Sequence, residues 1–148
     1  MNQVKPYNTE AGKKSEVEDM FDNIAPEYDL LNHVLSMKID VLWRNTLVKW
    51  MHKDQPKEVL DVATGTGDLA IAVQKGTSAK VVGLDLSQQM LNVGIEKIKK
   101  LNLDQQISMQ KGDAENLPFE SNKFDAVSVA FGVRNFENFE QGLAELRR

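Results

Sequence analysis

The chain has no cysteine and only two histidines, His33 and His52. The first absence excludes disulfides, a thiolate nucleophile and any Cys-ligated metal; two histidines are too few for a His-based zinc site. No metal is therefore expected. Basic residues are not in excess either: 18 Lys and Arg stand against 22 Asp and Glu, a net charge of −4. Proteins that coat nucleic acid through bulk electrostatics need the opposite balance, so no nucleic-acid partner is expected. No apolar run approaches the ~20 residues of a membrane-spanning helix, and the N-terminus carries no signal h-region. The expected location is the cytoplasm, which leaves room for peripheral contact at the inner face of a membrane. The length of 148 residues suits about one domain.

What is present divides into three parts. Residues 1–14 are polar, with Pro6 and Gly12, and read as a flexible N-terminus. Residues 15–55 read as N-terminal helices. Ser15 opens a capping box with Glu18, and Val17, Met20, Phe21 and Ile24 follow at helical spacing until Pro26. Residues 27–37 form a second helix or helical turn. Asp40 caps a third helix, whose broad apolar face carries Leu42, Trp43, Leu47, Trp50 and Met51. Pro56 marks the boundary.

From 56 to 148 the pattern changes to alternating strands and helices. Short apolar strands are predicted over 58–63, 80–85, 107–113 and 123–131. Helices are predicted over 68–75, ended by Gly76, and over 87–101, with a last one marked by Phe139, Leu143 and Leu146. This alternation defines an α/β class: a Rossmann-like open, mostly parallel sheet with helices on both faces, preceded by the N-terminal helices.

The turn after the first strand, Thr64-Gly65-Thr66-Gly67-Asp68, is the first candidate site. In open α/β sheets ligands sit beyond the carboxyl ends of the strands, where strand order reverses. Glycine at 65 and 67 permits positive φ and close backbone approach, and the N–H groups opening the next helix favour negative charge. A Walker loop needs Lys where Asp68 stands, so a phosphate-loop NTPase is rejected. A dinucleotide fingerprint survives weakly, with Ala70 in place of the third glycine, but Asp68 sits badly against a pyrophosphate. Asp85 ends the second strand, 20 residues after Gly65, and can accept both hydroxyls of a ribose. Asp113, past the third strand, can accept from an adenine amino group while the Ala114 N–H donates to the ring; Leu117 and Phe119 could wall the base. Each feature alone has a structural explanation as a turn or a cap. Their conjunction at three successive strand ends favours an adenosyl group, and S-adenosylmethionine fits better than a nicotinamide dinucleotide.

LDVATGTGD, the LDLS segment, GDAENLPF and FGVRNF together resemble the class I S-adenosylmethionine-dependent methyltransferases. More narrowly, with FDNIAPEYDLLNHVLSMKIDVLWR and its Tyr-Asp-x-x-Asn and Trp-Arg pairs, the chain resembles the menaquinone/ubiquinone C-methyltransferase family (UbiE/MenG) over residues 16–148. The resemblance implies methyl transfer from S-adenosylmethionine to a ring carbon of a polyprenylated quinol, either demethylmenaquinol or the equivalent ubiquinone precursor. It implies cofactor contacts from Thr64, Asp85, Asp113 and Ala114, with Gly65 and Gly67 shaping the loop; Asp61 is counted with them. Residues 15–55 become a substrate-side cap, with substrate contacts from Tyr28, Asn32, Arg134 and Asn135. Many members carry a serine where Ala130 stands, so that contact falls to backbone. The family continues through further strands of a seven-stranded sheet, so the chain is expected to be truncated before the last strands, to expose apolar surface and to self-associate.

A quinol carbon becomes strongly nucleophilic when a ring hydroxyl loses its proton. The candidate catalytic groups are Asp29 or His33 as a base and Arg134 as a partner for the developing oxyanion. Trp43 and Trp50 are expected in the core, with an aromatic wall for a prenyl chain as the other reading. A cofactor-binding module without catalysis and a methyltransferase acting on another small molecule remain open.

Overall fold

A computed structural model describes residue 6, residues 12–36 and residues 39–148; the side chains at 33 and 34 lie outside the described part. Three helices come first: α1 (Lys13–Ile24), α2 (Tyr28–Leu35) and α3 (Ile39–Asp54). The alternating part follows as β1 (Glu58–Val62), α4 (Asp68–Thr77), β2 (Lys80–Asp85), α5 (Gln88–Lys100), β3 (Ile107–Lys111) and β4 (Ala126–Val129). A 3-10 turn at Val133–Asn135 and α6 (Phe139–Arg147) complete it.

The four strands form one all-parallel sheet in the order β3-β2-β1-β4. β1 is central and buried on both faces, which is why its sequence reads as a nearly continuous apolar run rather than an alternation. One face packs Val59, Val81 and Ile107 against Leu69, Ile71 and Val73 of α4 and Ile98 of α5. The other packs Leu60, Val62 and Leu84 against Ala114, Leu117 and Phe136, with Leu146 of α6 at its edge. The chain runs outward from β1 to β3 and then crosses back to β4 on the other side of β1. Strand order therefore reverses between β1 and β4, and the carboxyl ends of those two strands flank the site.

Several boundaries differ from the sequence reading. α1 begins at Lys13, with Gly12 as its N-cap and no side-chain cap, so Ser15 is an interior residue and the Ser15–Glu18 box does not form. α3 contains Asp40 rather than being capped by it; Asp40 accepts from Ser36 Oγ at 2.7 Å and pairs with Arg44 at 2.8 Å. α4 runs through Gly76 and ends at Ser78, which takes the left-handed conformation. Gly76 is spent on packing instead: a Cβ there would lie 2.1 Å from Val48 Cγ1. α3 is also turned from its expected face. Leu47, Val48 and Met51 pack on the core, while Trp43 and Trp50 are 61% and 66% exposed and are not core residues. Arg44 pairs with Asp40 on its own helix and, at 3.4 Å, ties that face of α3 to Asp68 of α4.

Candidate functional site

Two cavities meet at the reversal point. The first, about 280 Å³, lies between α1 and the ends of β1, β2 and β4. The second, about 630 Å³, lies between α2, α3 and the same strand ends. Tyr28, Asn32, Ala63, Gly65, Phe131 and Arg134 border both.

The glycine turn gets its shape from below. Asp61, fully buried at the end of β1, accepts from Thr64 Oγ1 at 2.6 Å and from Ser128 Oγ of β4 at 2.7 Å. One carboxylate thus ties β1, β4 and the turn together. Burial pushes its carboxyl up to about 6, against the two hydroxyl hydrogen bonds, which favour the charged form. Gly65 and Gly67 have φ of +56° and +80°, left-handed values that explain glycine at both positions. The Tyr28 ring covers Gly65 at 3.9 Å from where a Cβ would sit.

Asp85 stands at the rim of the first cavity. Its Oδ2 accepts from Gly65 N at 2.8 Å and its Oδ1 from Ser87 N at 3.0 Å. Burial raises its pKa from the ordinary aspartate value, while those backbone N–H groups oppose the rise and the negative charge of Asp22 adds to it. Each carboxylate oxygen keeps a second lone pair, so two ribose hydroxyls can be accepted without breaking either bond. Asp113 lines the same cavity; its Oδ2 is held by Lys14 at 2.7 Å and its Oδ1 accepts from Glu115 N at 2.9 Å. Ala114, Asn135 and the apolar side chains of Val17, Phe21, Met90 and Phe136 complete the enclosure. A flat heterocycle with a polar sugar fits this mixture of carboxylates and apolar walls. Leu117 and Phe119 do not wall it: Leu117 is in the core, and Phe119 packs edge-on against Phe124 at 5.0 Å.

The structure brings Tyr28, Asn32 and Arg134 to the boundary of the two cavities and Asn135 to the first alone. Asp29 lines neither. Its Oδ1 accepts from Thr66 Oγ1 at 2.5 Å and its Oδ2 pairs with Lys97 at 2.7 Å; Lys97 also binds Asp68. The His33 side chain lies outside the described residues. Sequence reasoning missed the groups that fasten α1 and α2 over the site. Asp22 accepts from Ser87 Oγ at 2.5 Å and from Gln89 N at 3.2 Å, and Lys111 pairs with Glu18 at 2.5 Å. No local pattern marks such pairs, which join residues 65 or more positions apart. Ser128 did carry a signal: a hydroxyl inside a buried strand needs a partner. Among the described residues, no group of His, Asp and Glu could hold a metal ion, and no helix is long and apolar enough to cross a membrane.

This arrangement is the Rossmann-like fold of the S-adenosylmethionine-dependent methyltransferases. It is similar to a solved S-adenosylmethionine-dependent methyltransferase from Aquifex aeolicus, 27% identical with a TM-score of 0.60 over 68% of this chain and 56% of that one. The [4+2]-cyclase SpnF shares the fold at a TM-score of 0.76 and 22% identity, covering 89% of this chain and 54% of that one. Residues 9–148 match the ubiE/COQ5 methyltransferase family, and the chain belongs to that family. Demethylmenaquinone methyltransferase of Bacteroides fragilis is 48% identical over 98% of this chain and 60% of that protein. The ubiquinone/menaquinone biosynthesis C-methyltransferase UbiE of Geotalea uraniireducens is 45% identical over 95% of this chain and 60% of that protein. The chain thus spans about 60% of the length of these relatives.

Proposed function

We propose that this chain forms the S-adenosylmethionine-binding part of a C-methyltransferase that methylates a ring carbon of a polyprenylated quinol. The observation that carries the reading is the pair of cavities sharing one border at Gly65, Tyr28 and Arg134. A methyl donor in the first and an acceptor in the second would face each other there. Family membership and the relatives' names, demethylmenaquinone and ubiquinone/menaquinone methyltransferases, support the acceptor class.

In this reading Asp85 accepts the ribose hydroxyls, Asp113 and the Ala114 N–H hold the adenine edge, and Gly65 and Gly67 let backbone approach the methionine part. Asp61 and Thr64 keep the turn in shape. The cofactor supplies an electrophilic methyl on a sulfonium. The protein's own work is alignment and exclusion of water, the large terms in such a displacement. Residues 15–55 act as the substrate-side cap, with Tyr28 and Asn32 presenting the acceptor. Arg134 stabilises the oxyanion of the quinol ring. Asp29, a candidate base, is already committed to Lys97 and Thr66, while Arg134 stands at the border of the two cavities. The exposed apolar residues of α2 and α3, among them Leu30, Leu31, Leu35 and Leu42, support peripheral contact with a membrane that holds the substrate.

The test is calorimetric binding of S-adenosylhomocysteine to the protein and to Asp85→Ala. Loss of charged hydrogen bonds worth ~1.5–3 kcal/mol weakens binding roughly 10- to 150-fold. Equal affinities would remove Asp85 from the site. Absence of any binding to the unsubstituted protein would defeat the cofactor assignment.

A further inference from the structure

On the exposed wall of the second cavity the Phe131 and Trp43 rings stack, with centroids 5.7 Å apart and planes 14° from parallel. We infer that this pair grips the hydrocarbon tail of the methyl acceptor where it leaves the cavity, and so sets the preference for prenylated over tail-free acceptors. The inference rests on the quinol reading above and deepens it.

Phe131 has φ of +63°, a left-handed conformation that is a true outlier for a bulky side chain. The surroundings hold it there. Ala63, at the end of the neighbouring β1, is also left-handed at φ +53°. Gly132 packs so closely on it that a Cβ would lie 2.2 Å from Ala63 Cβ. The backbone after Phe131 is thus jammed against the residue that follows β1. The strain is not recovered by burying that ring, because Phe131 is 57% exposed and its partner Trp43 more so. A strained, exposed aromatic stacked on a second exposed aromatic contributes little to folding, and the arrangement makes sense as a surface awaiting an apolar ligand.

The cavity beside it is lined by groups of both kinds. Tyr28, Asn32, Arg134 and Phe131 stand at the border with the first cavity, while Leu35, Trp43 and Leu47 line the second alone, beside the charged Asp40, Arg44 and Asp68. That mixture suits a hydroxylated ring carrying a long unsaturated hydrocarbon chain. Flat isoprene units offer π-faces and methyl groups to the two rings, and their burial removes apolar surface from water on both sides.

Trp43 itself reports the contact, since quinones quench indole fluorescence. In a Trp50→Phe background, with S-adenosylhomocysteine saturating, Trp43 quenching is titrated with a 1,4-naphthoquinone bearing a two-isoprene tail and with the same ring lacking the tail. Trp50 is the only other tryptophan and lines neither cavity of the site. The tailed ligand is expected to bind at least tenfold more tightly. Phe131→Gly takes the left-handed φ without strain, so it should melt no lower than its parent. It should weaken the tailed ligand roughly tenfold and the tail-free ligand far less. Equal affinity of the two ligands, no effect of Phe131→Gly, or an equal effect on both overturns the inference and leaves the quinol reading standing. S-adenosylhomocysteine binding with no quenching by either quinone overturns the quinol reading and the inference together.

Discussion

Asp61 shows how one side chain sets both the shape and the pH response of this site. It is wholly buried, and its pKa is raised to about 6 from 3.8 by that burial. The unfolded chain releases this proton near pH 4 and the folded chain holds it until about 6. Between those values the native state binds more protons, so this group's contribution to stability is full below pH 4 and lost as pH rises through 6. About two pH units at roughly 1.4 kcal/mol each put the loss on the order of 3 kcal/mol. Asp61→Asn keeps one acceptor and offers a donor to the second hydroxyl, which can reorient. The variant's stability relative to the parent should therefore rise by up to ~3 kcal/mol between pH 4 and 7 in urea titrations. A pH-independent difference would show that Asp61 does not titrate in that window. Asp85 is the second residue of this kind: two backbone N–H groups hold it on the glycine turn, and it is the residue on which cofactor affinity is expected to depend most.

Among the elements, α3 and α4 lie against each other with the tightest fit at Gly76. Replacing a helix-interior glycine by alanine gains about 1 kcal/mol from propensity alone. Here the new Cβ would lie 2.1 Å from Val48 Cγ1, and a β-branched side chain in a helix has little freedom at χ1 to move aside. Overpacking costs typically 1–3 kcal/mol, so the clash wins and Gly76→Ala should lower the urea midpoint. Combined with Val48→Ala, the two changes should be markedly non-additive, with part of the Gly76→Ala loss recovered. Additive effects would mean that α3 can shift as a whole. α1 and α2 add long-range polar links to the buried Val17 and Ala25: Asp22 on Ser87, Glu18 on Lys111, Asp29 on Lys97. Partly exposed pairs of this sort are individually weak, which would suit the substrate-side cap proposed above.

Taken whole, the molecule has a buried sheet and an apolar outer face on α2 and α3. Leu30, Leu35, Ile39, Leu42 and Trp43 are all exposed, and β4 ends the sheet with no partner on its far side among the described residues. Exposed apolar side chains gathered on two successive helices are a candidate interaction surface. With a lipid-borne acceptor, the expected partner is the bilayer surface. The protein should co-sediment with phospholipid vesicles, and Leu35→Glu should reduce the bound fraction severalfold. If vesicle binding is absent and sedimentation velocity instead shows a concentration-dependent dimer, that face joins two copies of the chain.

The sequence by itself determined the order of strands and helices and the placement of Gly65, Gly67, Asp85 and Asp113 at strand ends. Those are consequences of local chemistry: apolar runs that must be buried, glycines that accept positive φ, and acids that terminate strands. It misread what depends on the neighbours of an element. The Ser15 box, the Gly76 stop and the apolar face of α3 all follow local preference; α1 starts earlier than that preference, and contacts from elsewhere in the chain, Val48 on Gly76 and Arg44 on Asp68, accompany the other two departures. The links that close α1 and α2 over the site, the Asp61–Ser128 bond and the Trp43–Phe131 stack join residues tens of positions apart. Only the tertiary structure could decide them, because long-range pairing is set by packing of the sheet and its helices and leaves no periodic trace along the chain.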